Sequence, residues 1–469
     1  MSFELFEYKI EDLGKVITGK TPPSKISDAF SAQGIPFVTP KDMDGRRLID
    51  KTERYLSSLG IEAVRNCLLP QNSIAVSCIG SDMGKTVLLP GESITNQQIN
   101  AIVVDSERFD YKYVYYYLST LQDAFKAIAG GSATPILNKG HFSQFKVSLP
   151  VKLVQNKITL ILDSLDTKIE VNTEINQTLE QMAQALFKSW FVDFEPVKAK
   201  MAALEAGGSQ EDATLAAMTV ISGKDADALA VFEREHPEQY SELKTTAELF
   251  PSAMQDSELG EIPVGWFVGD LSNIALLNTE SWSKKNAPES VSYVDLANTK
   301  WGVINSVEVY KFSDAPSRAR RILRPCDTIV GTVRPGNGSY SYISKPGLTG
   351  STGFAVLTPK ARIFSEYIYL CVTSNESIER LAHLADGGAY PAVNADVVLS
   401  TQCVLPIESE TKEALLKVFS SRTEVFFSYR ANNLDVNEVL TSIRDTLLPK
   451  LLSGEITLPE AEQIISEEA

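Results

Sequence analysis

One series of positions recurs at alternating intervals of four and three: Ile158, Leu162, Leu165, Ile169, Asn172, Asn176, Leu179, Ala183, Leu186 and Trp190. A second series, Leu415, Val418, Arg422, Val425, Tyr429, Asn432, Val436, Val439 and Ile443, keeps nearly the same rhythm. Sustained spacing of about 3.5 residues makes a narrow apolar seam that needs one partner helix. The pattern predicts a long helix within 151–196 and another within 407–454. The polar breaks, Asn172 and Asn176 on one seam and Arg422 and Asn432 on the other, are of the kind that cost stability but fix register and partner. They favour pairing the two helices with each other, antiparallel. Both helices end on bulky apolar groups, "ALFKSWFVDFEP" at 185–196 and "TLLPKLLSG" at 446–454.

The rest of the chain repeats itself. "LPQNSIAVSCIG" at 69–80 matches "RPCDTIVGTVRP" at 324–335. "YKYVYYYLST" from Tyr111 matches "SEYIYLCVTS" from Ser365. "GSATPILN" at 131–138 matches "GGAYPAVN" at 387–394, and "KVSLPV" at 146–151 matches "QCVLPI" at 402–407. The four matches keep their order, at offsets of 254 to 256. Such self-similarity marks a duplicated unit. Each copy mixes short β runs bounded by Pro, Gly and Asn with a Tyr-rich helix and a closing strand. The predicted fold is therefore α+β. It has two pseudo-repeated domains, 1–150 and 261–406, separated by an antiparallel pair of long coiled-coil helices. The stretch 197–260 reads as a solvated acidic linker able to form short helices, and 455–469 as an acidic tail.

Composition changes the picture in one respect. The 469 residues carry a formal charge of −16, which taken whole argues against nucleic acid. The two repeated domains are each electroneutral, however, and 197–260 alone holds 12 acids against 5 bases. Either domain can thus present a local basic face. The 5 cysteines and 3 histidines are scattered, with no CxxC, HxxxH or HExxH; thiols of that kind are usually reduced and buried, and no zinc site is expected. No phosphate-binding loop, dinucleotide fingerprint or nucleophile elbow is present. Asp12 and Asp270, and Asn138 and Asn394, recur in both domains without a paired base or metal set, and read as caps or turns. With no apolar run of transmembrane length and no signal pattern at the start, a cytoplasmic protein without membrane contact is expected.

The strings "LFKSWFVDFEPVKAK" at 186–200, "DSELGEIPVGW" at 256–266 and "LLPKLLSGEI" at 447–456 carry a family resemblance. Together with the alternation of two variable domains and two long helices, they are similar to the specificity subunit of type I restriction–modification systems, over essentially the whole chain. The resemblance implies a non-catalytic subunit that reads a bipartite, asymmetric site on double-stranded DNA with two target-recognition domains. It also implies two docked copies of an adenine methyltransferase subunit, a restriction/translocase subunit, and S-adenosylmethionine held by the methyltransferase rather than by this chain. By that reading, Phe187, Trp190, Phe191 and Phe194, and by pseudo-symmetry Leu448, Leu451 and Leu452, are expected to form two apolar docking patches.

DNA contacts are expected in loops rich in Arg, Lys, Gly, Ser and Asn, because Arg and Lys suit phosphates and guanine edges and Gly lets backbone approach a groove. In the first head these are Lys41, Arg46, Arg47, Ser81, Lys85, Ser132, Thr134 and Lys139. In the second they are Lys284, Lys285, Arg318, Arg320, Arg321, Arg324, Arg334, Asn337 and Tyr390. The run of arginines from 318 to 324 is the foremost candidate. Three other readings stand beside this one: a specificity subunit whose partner fuses methyltransferase and nuclease, a two-headed protein scaffold, and an enzyme with the heads as catalytic domains.

Overall fold

A computed structural model describes residues 3–129, 136–385 and 391–468. It divides into two compact units, one built from Met1–Thr173 with Leu434–Ala469 and the other from Glu174–Asn433. Each unit holds one head and a stretch of both long helices.

In the first head an antiparallel sheet runs in the order Gly14–Thr18, Ile99–Val104, Ser73–Ser77, Thr86–Leu89. The strand Ser73–Ser77 is buried along its whole length, as its run of small and β-branched residues allows. The helix Tyr111–Ser119 follows, capped by Asp110, whose side chain accepts from the Tyr113 amide. A second, smaller sheet pairs Ile35–Val38 in parallel with Ile94–Thr95.

The second head repeats this plan. Its sheet runs Ala275–Leu277, Phe354–Pro359, Thr328–Gly331, Tyr340–Tyr342, and its second sheet pairs Ser290–Val294 in parallel with Leu348–Ser351. The repeat extends to single bonds. Ile79 bridges Ile136 in the first head, and Val333 bridges Ala392 in the second. The Leu137 amide donates to Cys78 O at 3.0 Å, and the Val393 amide to Thr332 O at 2.9 Å. Asn138 and Asp270 are caps: the side chain of the first accepts from the His141 amide and that of the second from the Ser272 amide.

The long helices are Lys152–Phe191 and Ser409–Ser453. They pack together and run antiparallel in each unit. In the first unit, Asp166 pairs with Arg444 at 2.7 Å and the Asn172 side chain donates to the Asn437 side chain at 2.8 Å. In the second, Asn433 donates to the Asn176 side chain at 2.9 Å and Arg430 pairs with Glu180 at 2.6 Å. The first predicted seam is the buried face, from Ile158 through Asn172 and Asn176 to Trp190. The second is in phase only at its ends, where Leu415 and Ile443 are buried. Val425, Tyr429, Asn432 and Val439 are exposed, and the buried face runs through Leu416, Phe419, Thr423, Phe427, Arg430, Leu440 and Leu447. The true seam carries Thr423 and Arg430, and Asn433 and Asn437 bond across it. Hydrophobicity alone therefore selects the neighbouring register.

The stretch expected as a solvated linker is instead folded. Its helices are Glu195–Glu205, Gln210–Ser222, Ala226–Glu235 and Pro237–Glu248. Ala217, Met218, Ile221, Leu229, Leu243, Ala247 and Phe250 join the core of the second unit. Ser209 and Asp225 cap two of these helices, accepting from the Asp212 and Ala228 amides, and Gly223 ends one at φ +67°. The acids lie on the outer faces, so net charge concealed an apolar stripe. The tail is also ordered, with a helix at Leu458–Glu468 that buries Ala461.

Candidate nucleic-acid interface

The predicted basic residues separate into those the fold leaves available and those it uses itself. In the first head, Lys41 and Ser81 are exposed. The loops that carry them meet, since the Lys85 ammonium lies 3.4 Å from Met43 O while also pairing with Asp82 at 2.8 Å. Arg46 is exposed but paired with Asp44 at 3.0 Å and with Asp50 at 3.5 Å. Lys139 is exposed just beyond the Asn138 cap. Ser132 and Thr134 lie outside the described residues, as does Tyr390 in the second head.

Arg47 is not a free DNA contact. Its guanidinium turns onto the first long helix and bonds Asp163 at 2.7 Å and both oxygens of Glu170 at 2.8 Å, with the Tyr116 hydroxyl at 3.2 Å. Burial disfavours its charge, yet the hydrogen bonds to Glu170 and Asp163 and the field of Tyr116 outweigh burial and hold its pKa above the ordinary range. Asp163 is pulled down in turn: burial opposes its charge, but hydrogen bonds from Lys112 and Arg47 prevail. Sequence alone offers no sign that two carboxylates 116 and 123 residues further along the chain would claim this arginine.

In the second head, two loops come together at a sheet edge. Ser281 bridges Arg321, and the Trp282 amide donates to Arg320 O at 2.7 Å. This places the exposed Lys284 and Lys285 beside the strand Ala319–Ile322 and its flanks. Within that strand Arg320 spreads over the Phe312 ring at 4.7 Å. Arg321 is half-buried, which lowers its pKa. Arg324 is tied to Glu280. Arg318 is the freest of the four, with only a 4.0 Å approach to Asp295. The arginine run is thus one available cation with three partly engaged neighbours. A separate loop exposes Arg334 and Asn337 around a short turn at Pro335–Asn337. Lys300 and Trp301, absent from the predicted set, sit against this turn, the Lys300 ammonium reaching Asn337 O at 3.4 Å.

The predicted docking patches are not surfaces. Phe187, Trp190, Phe191 and Phe194 are buried in the core of the second unit. Phe191 meets Tyr367 and Phe419 edge-on at 4.8 and 5.0 Å, Trp190 meets Phe250 at 5.3 Å, and Phe194 meets Trp266 at 5.9 Å. Leu451 and Leu452 are buried and Leu448 partly so, in a cluster with Phe3, Ile456, Leu458 and Ile464. Aromatic and leucine groups at a helix end bury against whatever chain follows, and here both following segments fold back to cover them. The exposed apolar residues of the helices lie elsewhere: Leu153, Leu160 and Val171 with Val439 in the first unit, and Ile175 and Met182 with Val425 and Tyr429 in the second. At about 100° per residue, Leu153, Leu160 and Val171 fall within about 20° of one another in the first unit, as do Ile175 and Met182 in the second. Among the described residues no helix is long and apolar enough to cross a membrane.

Residues 4–181 match the model of the type I restriction modification DNA specificity domain. The chain is 35% identical over 332 residues to the type I restriction enzyme HindI specificity subunit of Haemophilus influenzae, covering 67% of this chain and 70% of that protein. It is 24% identical over 471 residues to the MjaIX specificity subunit of Methanocaldococcus jannaschii, covering 96% and 93%. Among solved structures, the S subunit of a type I restriction-modification system from M. genitalium aligns over 96% of both chains, with 15% identity and a TM-score of 0.47.

Proposed function

Since this chain belongs to the specificity subunits of type I restriction–modification systems, we propose that its two heads each read one half of a bipartite DNA site and that the two halves differ in sequence. The observation that carries this reading is the pair of heads itself. They share the strand order of the main sheet and a bridge at equivalent places, Ile79 to Ile136 and Val333 to Ala392, yet the loops beyond those strands differ in residue type. One topology with two unlike sets of loop side chains suits two unlike half-sites. The first head offers Lys41, Ser81, Lys85 and Lys139, and the second Lys284, Lys285, Arg318, Arg334 and Asn337. Phosphate contacts by such cations set orientation, while side chains at base edges set sequence. Mapping methylated adenines in DNA modified by the native complex tests the reading. An interrupted motif with unlike halves is expected; a contiguous or palindromic motif would contradict it.

Docking of the methyltransferase is better assigned to the exposed faces of the long helices than to their ends. Each unit has its own exposed apolar set, Leu160, Val171 and Val439 in the first and Ile175, Val425 and Tyr429 in the second. Exposed aliphatic and aromatic groups aligned on a helix suit a partner helix, and two sets support two methyltransferase copies. The catalytic step and its S-adenosylmethionine then belong to the partner, in the cytoplasm. A restriction/translocase subunit would join the same assembly. Tyr429→Asp with Val425→Asp should reduce methyltransferase co-purification at least tenfold without lowering the melting temperature of the chain; full recovery of the complex would exclude this face.

A further inference from the structure

In the second head, the hairpin of Thr299–Lys300 and Val303–Ile304 carries Trp301 at its tip in a left-handed conformation, φ +47°. That conformation is costly for a bulky residue and persists only where the surroundings hold it. Here they do. The Trp301 amide donates to Gly338 O at 2.7 Å, the Gly302 amide to Tyr340 O at 3.0 Å, and the Ser341 hydroxyl to Gly302 O at 3.1 Å. The indole lies so closely over Gly338 that a Cβ there would come within 2.5–2.6 Å of three ring carbons. Its ring also meets Tyr340 edge-on at 6.0 Å. The side chain is therefore fixed, and yet Trp301 remains 57% exposed. Beside it, Lys300 spans to the turn that bears Arg334. Arg334 is exposed, stands at φ +47° itself, and makes no ion pair among the described residues.

We propose that Trp301 is a rigid DNA contact of the second head, packing its indole on an apolar part of the duplex, a deoxyribose or a thymine methyl, while Lys300 and Arg334 take the neighbouring phosphates. A held aromatic group loses little conformational freedom on binding, and apolar side chains read thymine methyls or wedge at base steps. The flanking cations match the charge of the duplex. This inference rests on the reading of the heads as DNA readers.

The test uses the complete complex with its methyltransferase and two duplexes, one carrying the motif found by methylation mapping and one with that motif scrambled. W301A should weaken binding to the motif duplex about tenfold and leave the salt dependence of affinity unchanged, because no phosphate contact is removed. R334A should reduce the salt slope by about one. W301F, which keeps a ring, should lose less than W301A. Independently of any variant, oxidative footprinting of the wild-type complex, read at Trp301 by mass spectrometry, should show at least fivefold protection by the motif duplex. Wild-type discrimination between the duplexes without protection at Trp301 overturns this proposal alone. Failure of the wild-type complex to discriminate overturns the reading of the heads, and this proposal with it.

Discussion

The two units fasten a head to the long helices by different chemistry. In the first, ion pairs run from head to helix over an apolar cluster of Phe109 and Tyr113 with Ile158 and Leu162. Arg47, from the loop after the parallel strand Ile35–Val38, reaches Asp163 and Glu170 on the first helix, and Lys112 of the same head also pairs with Asp163. In the second unit the loop after Ser290–Val294 sends no cation to the helices among the described residues, and the ionic tie from head to helix is the exposed pair of Arg362 with Glu424 at 3.1 Å. That loop brings its backbone in at Gly302, where φ is +82° and a Cβ would meet the Tyr369 hydroxyl at 2.7 Å and the Arg430 guanidinium at 2.9 Å. The bulk of the fastening there is aromatic: Phe187 and Phe191 of the first helix and Phe419 of the second close on Tyr367 of the head, with Trp190 packed behind them on Phe419. A duplicated fold has thus kept the strand order of its main sheet while exchanging the forces at one joint. Ion pairs depend on the state of their carboxylates, whereas an aromatic cluster depends on area removed from water, so the two joints should fail under different conditions.

The largest effect expected is in the aromatic joint. Trp190→Ala removes a wholly buried indole and should cost about 4 kcal/mol, with lost hydrogen-exchange protection concentrated in the second unit. A loss under about 1 kcal/mol would mean that the cluster does not hold the joint. Next, Arg47→Ala leaves Asp163 and Glu170 without their shared partner and should cost about 3 kcal/mol, with the loss of protection in the first unit. Equal loss in both units would erase the distinction. Smaller again, Asn433→Ala removes the bond to Asn176 and should cost about 1 kcal/mol in denaturant unfolding. Last is the effect of acid. The folded pKa of Asp163 lies below its ordinary value. The stability it contributes is therefore complete above about pH 4 and is lost as the pH falls through the folded value. Exchange measured from pH 5 downward should show the first unit loosening before the second.

Much of this was legible in the sequence for physical reasons, and so were the places where it was not. The duplication was visible because buried strands such as Ser73–Ser77 and Thr328–Gly331 keep the same residue types in the same order. The first seam was visible because Ile158, Leu162, Leu165 and Trp190 are both apolar and buried. The second is one position off between Val425 and Val439, though not at Leu415 and Ile443, because Asn433 bonds Asn176 and Asn437 bonds Asn172 across the helices, and pairing of polar groups leaves no mark in hydropathy. The helix ends were misread as docking patches for a related reason. Bulky apolar residues show that something covers them, and only the fold shows that the cover is the chain's own acidic helices with Tyr367 and Phe419 at one end and its tail at the other. Arg47 and Arg318 look alike in sequence; one is consumed by Asp163 and Glu170, and the other is left to solvent.

The central claim is that each head reads its own half of one site. It is tested most directly by replacing residues 261–406 with the matching domain of a relative of different specificity and mapping adenine methylation by the resulting complex. One half of the motif should change while the other half stays as in the native complex. A motif altered in both halves, or in neither, would contradict the account.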